Sequence, residues 1–473
     1  MTRTSQISRA AVGAARAASR PSSGSPGGQF AASFKQTQSP AAQGLAPRNT
    51  PSRTTPTLRQ PTRQLYNFST VSLPTAHISS SHNIRNMTTD FKQQPHKLLV
   101  IPGPIEFSDG VLGANAAPGM SHVSPAFIPV FGDCIRMLRK VLYAPKGQPM
   151  LIAGSGTLGW DAAAVNLVEP GENVLVLNHG YFADSFADCL RAYGANVDEL
   201  KAKVGGIVDP KDLEQALQKK KYKLVTITQV DTSTGVLAPV KQYSEIIHKT
   251  SPNSLIAVDA VCAVASEEIR FDDWGLDVVI SATQKGLGVP PGLSVCMLSE
   301  RAIKTMEARD SIPSYYISWK RWLPIMKAYE EGRPMYFATP PVQLIYSLRQ
   351  GLKEILEGDL SFEDRLARNR EVSNRVKDEL EKLGCGFVPL SRDIAANGMS
   401  AVRYPQGVTA ADVIPKLAER DIVVAGGLHK DIASEYFRVG HMGVTSADPS
   451  RGDVDKIING VKAVLDEAKK NKA

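Results

Sequence analysis

Short apolar runs without polar alternation constrain the fold of this chain more than any other feature. They are rich in Val, Ile and Leu and recur at 97–101, 150–153, 173–177, 223–228, 254–259, 278–281 and 294–298. Such runs are typical of strands that are buried on both faces of a mostly parallel sheet. Helical patterns separate several of them, at 158–168, 185–193, 209–219 and 241–249. The alternation of strands and helices predicts a large α/β domain.

The last third of the chain predicts a second, smaller domain. Helical patterns at 341–357 and 362–383 follow the large domain, and candidate strands lie at 399–404, 422–425 and 436–439. We therefore expect three parts. These are a leader at 1–89, a large α/β domain with an N-terminal arm at 90–340, and connecting helices with a small α+β domain at 341–473.

Two ionisable residues end neighbouring apolar runs in the large domain. Asp259 closes the run at 254–259, and Lys285 follows the run at 278–281, 26 residues later. An enzyme that uses pyridoxal 5'-phosphate needs this pair, since the lysine forms a Schiff base with the cofactor. The aspartate holds the pyridine nitrogen protonated, so that the ring can accept electrons. The alternative is a strand-end Asp that caps a turn and a surface Lys in a glycine-rich loop.

A glycine-rich loop follows the run at 150–153 and precedes a helical pattern. Its glycines, Gly154, Gly156 and Gly159, fit the dinucleotide pattern G-x-G-x-x-G, which makes a dinucleotide-binding dehydrogenase the natural alternative. A dinucleotide-binding site has an acidic residue after the next strand, which binds the ribose. In this chain Asn178-His179 follows that strand instead. A cradle for a single phosphate, built from backbone N–H groups and the hydroxyls of Ser155 and Thr157, fits the sequence better.

Two further polar or aromatic loops follow predicted strands. Phe182 comes after the run at 173–177 and could stack on a flat cofactor, although core packing is the alternative. Thr232 follows the run at 223–228 and could donate a hydrogen bond to the phenolic oxygen of the cofactor. A simple Ser/Thr turn explains Thr232 equally well.

With these motifs assembled, the chain resembles the class V pyridoxal phosphate aminotransferases. The resemblance covers 97–468 in unbroken order. The matching motifs are Pro102-Gly103-Pro104, Gly154-Ser155-Gly156, Ser233-Thr234-Gly235-Val236-Leu237, Asp259-Ala260-Val261, Gln284-Lys285-Gly286, Pro290-Pro291-Gly292, the segment 336–339 and Arg438. The resemblance implies fold type I of the pyridoxal-phosphate-dependent transferases, with a large, mostly parallel-sheet domain and a small C-terminal domain.

The resemblance also implies a role for each site residue. Lys285 and Asp259 are then the catalytic pair, and Arg438 binds the substrate carboxylate. The other cofactor-binding residues are Ser155, Gly156, Thr157, Phe182, Thr232, Val261 and Gln284, with Tyr336 and Thr339 contributed by a neighbouring subunit. Phe182 stands where some relatives carry Trp. Phe337 and Ala338 stand where the family often has His.

The implied activity is transamination between small amino acids and 2-oxo acids by a homodimer with shared active sites. We expect alanine to donate its amino group to glyoxylate in a ping-pong scheme, with serine–pyruvate or serine–glyoxylate transamination as the alternative. A cysteine desulfurase would need a nucleophilic Cys on a mobile loop, whereas Cys385 reads as part of a turn between a helix and a strand. A non-catalytic cofactor-binding protein would have no need for both Asp259 and Lys285.

The positive charge of the chain is confined to its N-terminal part. Residues 1–89 contain ten Arg or Lys and no Asp or Glu, which leaves 45 basic and 47 acidic residues from Asp90 onward. The body gives no reason to expect nucleic-acid binding. The leader has the composition of a mitochondrial presequence, with a generic disordered extension as the alternative. An internal start at Met87 would give a cytosolic or peroxisomal form.

Cysteine spacing and hydropathy exclude other classes. The five cysteines are scattered without a Cys-x-x-Cys pair, so we expect free thiols. No cluster of His, Cys and carboxylates has metal-ligand spacing, so we expect no metal. No run of 18 apolar residues predicts a membrane span.

Overall fold

A seven-stranded sheet forms the larger part of the structure, a computed structural model that describes residues 91–471. The strands are β1 Leu98–Leu99, β2 Gln148–Ala153, β3 Asn173–Asn178, β4 Asn196–Lys201, β5 Leu224–Thr228, β6 Val230–Asp231, β7 Val236–Leu237, β8 Leu255–Asp259, β9 Val278–Ala282, β10 Leu293–Leu298, β11 Gly386–Phe387, β12 Met399–Arg403, β13 Ile422–Val423, β14 Ala425–Gly426 and β15 Tyr436–Gly440. The order in the sheet is β2-β10-β9-β8-β5-β3-β4, in which only β10 runs antiparallel to its neighbours. The predicted α/β fold with a mostly parallel sheet is confirmed.

Helices connect the strands and cover the sheet. They are α1 Asp109–Asn115, α2 Ile128–Val141, α3 Thr157–Leu167, α4 Tyr181–Ala192, α5 Pro210–Lys219, α6 Val240–Thr250, α7 Glu300–Glu307, α8 Trp319–Glu330, α9 Val342–Leu356, α10 Phe362–Lys382, α11 Ala410–Glu419, α12 Val444–Ala447 and α13 Asp453–Lys470. The helix α5 shows how the sequence sets a helix start. Asp209 accepts a hydrogen bond from the backbone N–H of Lys211 at 2.8 Å, and Pro210 occupies the first helical position.

The apolar run at 97–101 does not join the large sheet, contrary to the sequence prediction. Its strand β1 pairs in parallel with β13 near the C-terminus, and Leu98 is buried in the second hydrophobic core. The backbone N–H of Val100 extends the pairing by donating to the carbonyl of Val423 at 2.9 Å. The N-terminal arm is therefore attached to the C-terminal part of the chain through a separate two-stranded sheet.

Two hydrophobic cores match the two largest of the four sheets between residues 91 and 471. The larger core packs α1 to α4 and α9 around the seven-stranded sheet. The smaller core lies between α10, α11 and α13 and the four-stranded antiparallel sheet β11-β12-β15-β14. The helix α9, which follows the predicted boundary at residue 340, contributes Ile345, Leu348 and Leu352 to the larger core.

The last glycine of the G-x-G-x-x-G pattern serves packing. Gly159 lies on α3, where a Cβ atom would collide with the Cγ2 of Ile280 on β9. The absence of a side chain lets α3 lie close to the sheet. The glycine is therefore explained without a dinucleotide.

The predicted leader lies outside the described residues, so its mitochondrial destination stays a prediction. Between residues 91 and 471, no helix is both long enough and apolar enough to cross a membrane.

Candidate active site

A cavity of about 160 Å³ lies at the carboxyl edge of the large sheet, beyond the ends of β2, β5, β8 and β9. It is lined by Gly103, Ser155, Gly156, Thr157, Trp160, Phe182, Val230, Thr232, Asp259, Val261, Cys262, Gln284 and Lys285. Ligands of open α/β sheets bind at this edge, because the strand-to-helix loops converge there. Nine residues predicted for the cofactor site from the sequence are thus brought together.

Asp259 ends β8 and is buried, with 3% of its surface exposed. One carboxylate oxygen accepts a hydrogen bond from the backbone N–H of Val261, and the other accepts one from the indole N–H of Trp160, both at 3.0 Å. Burial raises the pKa of Asp259 from 3.8 to about 6, against the effect of these two donors. The carboxylate is therefore oriented and ready to pair with a cationic group in the cavity.

Lys285 follows β9, the parallel neighbour of β8, and only 8% of its surface is exposed. Its ammonium donates a hydrogen bond to the carbonyl of Pro102 in the N-terminal arm. Burial lowers the pKa of Lys285 below the ordinary lysine value, so less free energy is needed to deprotonate it to the nucleophilic amine.

Gly103 is a site residue to which the sequence analysis assigned no role. Its φ of +115° lies in the region that favours glycine, and a Cβ atom would overlap the side chain of Lys285. The motif Pro102-Gly103-Pro104 therefore lets the arm pass directly over the lysine.

The glycine-rich loop connects β2 to α3. Gly156 occupies the N-cap position of α3, where no side chain caps the helix, so the N-terminus and the hydroxyls of Ser155 and Thr157 border the cavity. Gln284 also lines it, and its buried side-chain oxygen has no hydrogen-bond partner among the described residues. The lining fits pyridoxal phosphate, with an anion site at one end and the buried Asp259 and Lys285 as its other polar groups.

Phe182 lies in the first turn of α4, not in the loop predicted before that helix, because α4 begins at Tyr181. The buried carboxylate of Asp231 accepts the backbone N–H of Phe182 at 3.0 Å and so holds this helix start. The ring of Phe182 still lines the cavity. Asp231 is 49 residues away in sequence, and the sequence analysis assigned it no role.

Arg438 lies on β15 and does not line the cavity itself. Its guanidinium donates to the carbonyl of Gly426 at 2.8 Å and to the carbonyl of Thr232 at 3.3 Å. In the part of the chain that the structure describes, no carboxylate lies within salt-bridge distance of it. Burial lowers the pKa of Arg438. Because Thr232 lines the cavity, Arg438 lies next to the residues that line it. Its charge has no carboxylate partner among the described residues.

Tyr336 and Thr339 are not brought to the cavity within one subunit. Both are exposed, and Tyr336 has 63% of its surface accessible. Its ring lies 5.0 Å from that of His122. Their predicted contribution to a neighbouring subunit stays a prediction.

The cysteines do not match the arrangement of a desulfurase. Cys385 is buried in the turn between α10 and β11, and burial raises its pKa to about 11. Cys262 lines the cavity but is buried as well, and burial raises its pKa. Neither thiol is an exposed nucleophile on a loop.

Comparison with known proteins places these features in a family. The family model of the class-V aminotransferases matches residues 108–443. An alanine–glyoxylate aminotransferase of Saccharomyces cerevisiae is 42% identical over 385 residues, which cover 78% of this chain and 98% of that protein. An L-aspartate–glyoxylate aminotransferase of Paracoccus denitrificans is 28% identical, over 73% of this chain and 86% of that protein. The crystal structure of an alanine–glyoxylate aminotransferase from Nostoc sp. superposes with a TM-score of 0.73 at 28% identity, covering 79% of this chain and 96% of that one.

The raised pKa of Asp259 predicts a pH-dependent cost to the stability of the cofactor-free protein. Because the folded state binds the proton more tightly than the unfolded chain, the contribution of Asp259 to the free energy of unfolding is greatest below pH 3.8. It is lost as the pH rises through about 6. The loss is about 3 kcal/mol for a pKa shift of this size.

Asp259→Asn removes this titration. The stability of the variant relative to the unmutated protein should therefore rise by about 2 kcal/mol between pH 4.5 and pH 7.5, because about a third of the full loss has already occurred at pH 4.5. Urea unfolding of both cofactor-free proteins at pH 4.5 and pH 7.5 measures the difference. The exposed Asp310→Asn serves as the control for the loss of one carboxylate. A stability difference between Asp259→Asn and the unmutated protein that is equal at both pH values would refute the assignment.

Proposed function

This chain belongs to the class-V aminotransferase family, and we propose that it uses pyridoxal phosphate to transfer the amino group of alanine to glyoxylate, giving pyruvate and glycine. The observation that carries the proposal is the buried pair Asp259 and Lys285 at adjacent parallel strands, next to an anion-binding loop. The names of the relatives from yeast and Paracoccus share glyoxylate and differ in the amino donor. Alanine is favoured as the donor because it is named for the relative with the higher identity.

The residues of the site divide the chemistry between them. When bound, the cofactor supplies an aldehyde carbon and a ring that accepts electrons. Asp259 holds the ring nitrogen protonated, and Lys285 moves a proton to and from the substrate Cα as the general base and acid. The loop at Ser155, Gly156 and Thr157 binds the phosphate. The arm at Gly103 shields the lysine from water.

Steady-state assays with a panel of amino donors test the proposal. We expect the highest kcat/KM with alanine and glyoxylate, with serine and aspartate as slower donors. Lys285→Ala should lower turnover by orders of magnitude and abolish the visible absorbance of the lysine-bound cofactor, because the covalent anchor and the proton carrier are both lost. Near-normal turnover in this variant would show that Lys285 is misassigned. Absence of turnover with every donor would reject the proposed activity.

Arg438 is the proposed binding group for the substrate α-carboxylate. Its planar guanidinium can form two parallel charge-assisted hydrogen bonds with a carboxylate. The absence of a carboxylate partner among the described residues leaves its charge free for a substrate. The bond to the carbonyl of Thr232 holds the guanidinium at the cavity wall.

Arg438→Ala should lower kcat/KM for the donor and for the acceptor by about ten- to hundredfold, the effect of losing a charge-assisted pair. Arg438→Lys should recover only part of the loss, because an ammonium group lacks the fork geometry. Arg403→Ala is the matched control, since Arg403 lies on the adjacent strand β12 and pairs with Glu435 away from the cavity. Single-turnover kinetics with alanine and with glyoxylate give both values. If kcat/KM is unchanged in Arg438→Ala, the substrate carboxylate binds elsewhere.

We further propose a homodimer in which Tyr336 and Thr339 complete the phosphate site of the partner subunit. The exposure of both residues, and their separation from the cavity of their own subunit, support this arrangement.

Mixed subunits test this sharing. Lys285→Ala and Tyr336→Ala should each be weakly active alone, but a dimer of one with the other contains one complete site. After random exchange, half of the dimers are mixed, so about a quarter of the normal activity should return. If Tyr336 acts within its own subunit, or if the enzyme is a monomer, mixing restores nothing. Sedimentation velocity on the same samples distinguishes these two cases.

A further inference from the structure

Trp160 contacts the carboxylate of Asp259 from the helix that follows the phosphate loop. It lies in the first turn of α3 and has 6% of its surface exposed. Its indole N–H donates to one carboxylate oxygen at 3.0 Å, while the backbone N–H of Val261 donates to the other. Two donors from different elements thus fix the plane of the carboxylate.

Two aromatic rings fix the indole in turn. The ring of Phe186 stacks on it at a centroid distance of 5.4 Å and an interplanar angle of 13°. The ring of Phe182, which lines the cavity, meets it edge-on at 6.5 Å. The close approach of α3 to the sheet at Gly159 brings the indole within reach of the end of β8. The position of the N–H is therefore set by packing on three sides.

The groups around Asp259 have opposing effects on its pKa, and hydrogen-bond donors favour the ionised form. Burial raises the pKa of Asp259, and the neighbouring Asp231 raises it further, whereas the hydrogen bonds from Val261 and Trp160 lower it, as does the charge of Lys285. The indole N–H is the one side-chain hydrogen bond to this carboxylate in the described residues. Without it, one oxygen of a buried carboxylate would lose its donor.

We propose that Trp160 is a positioning residue, which keeps Asp259 ionised and correctly oriented for a cationic pyridine ring. The inference rests on the proposed function, because an ionised Asp259 serves the reaction only if the cofactor ring binds beside it. Trp160 itself acts through Asp259. Its contribution therefore depends on pH, which distinguishes it from a residue that only packs.

The test compares Trp160→Phe, which keeps an aromatic ring and removes the N–H, with Trp319→Phe. Trp319 is also buried, but its indole N–H has no hydrogen-bond partner among the described residues, so this control loses a ring without losing a bond. The measured quantity is the dissociation constant of pyridoxal phosphate for cofactor-depleted protein across about pH 5 to 9.

Cofactor affinity should fall below the pH at which Asp259 becomes protonated. Loss of a hydrogen bond to this charged group should raise that pH by about one to two units. Near pH 7, binding to Trp160→Phe should then be about two- to tenfold weaker, and near pH 9 it should equal that of the unmutated protein. Trp319→Phe should retain the unmutated pH profile. The proposal would be overturned if Trp160→Phe bound pyridoxal phosphate equally more weakly at every pH, or if its binding were not weakened at all.

A second variant keeps the test decisive if Trp160→Phe does not fold, as judged by circular dichroism. Incorporation of 3-benzothienylalanine at position 160 keeps the shape of the indole and replaces only its N–H with sulfur. The same upward shift in the pH profile supports the proposal, and an unchanged profile overturns it. Unmutated protein that binds no pyridoxal phosphate would refute the proposed function and this inference together. A normal aminotransferase with an unshifted variant refutes the inference alone.

Discussion

The burial of a carboxylate at the end of β8 is the constraint on which the rest of the site depends. Asp259 is removed from water, and its ionised form is tolerable only where donors and a cation compensate. The parallel pairing of β8 with β9 places the segment that carries Lys285 beside it. The donors come from Val261, two residues further along, and from Trp160 on α3. Strand order and helix packing therefore both position groups that stabilise the buried carboxylate of Asp259.

Parts that are distant in sequence are coupled to this centre through main-chain carbonyl groups. Lys285 donates to the carbonyl of Pro102, and Arg438 donates to that of Thr232. A third link joins the segment after β8 to the segment before β12, since the buried Glu267 accepts the side-chain amide of Asn397 at 2.6 Å. These bonds connect the arm, the small sheet and the large sheet. A displacement of the four-stranded sheet or of the arm would thus alter the surroundings of Arg438 or of Lys285.

The sequence predicts those features that a local pattern encodes. Buried strands such as β5 and β8 are continuous apolar runs, so the sheet and the position of Asp259 follow from them. The edge strand β4, Asn196–Lys201, is largely polar and carries no such signal. The pairing of β1 with β13 spans most of the chain and involves two residues of each strand. The start of α4 depends on Asp231, an acceptor that is distant in sequence. The local sequence near Phe182 therefore does not predict where this helix begins.

The glycine pattern at 154–159 shows how one physical requirement can suit two ligands. A helix that presents its N-terminus to an anion and packs closely on a sheet needs glycines at these positions, whichever phosphate compound it binds. Gly159 meets the packing requirement against Ile280. The residue that ends the next strand decides between the ligands. Asn178 there donates to Asp184 at 2.7 Å and to Glu199 at 2.6 Å, so its side chain is engaged and offers no acid to a ribose. Under the proposed function, the loop would bind a single phosphate, and the selectivity would come from the polar residues at neighbouring strand ends.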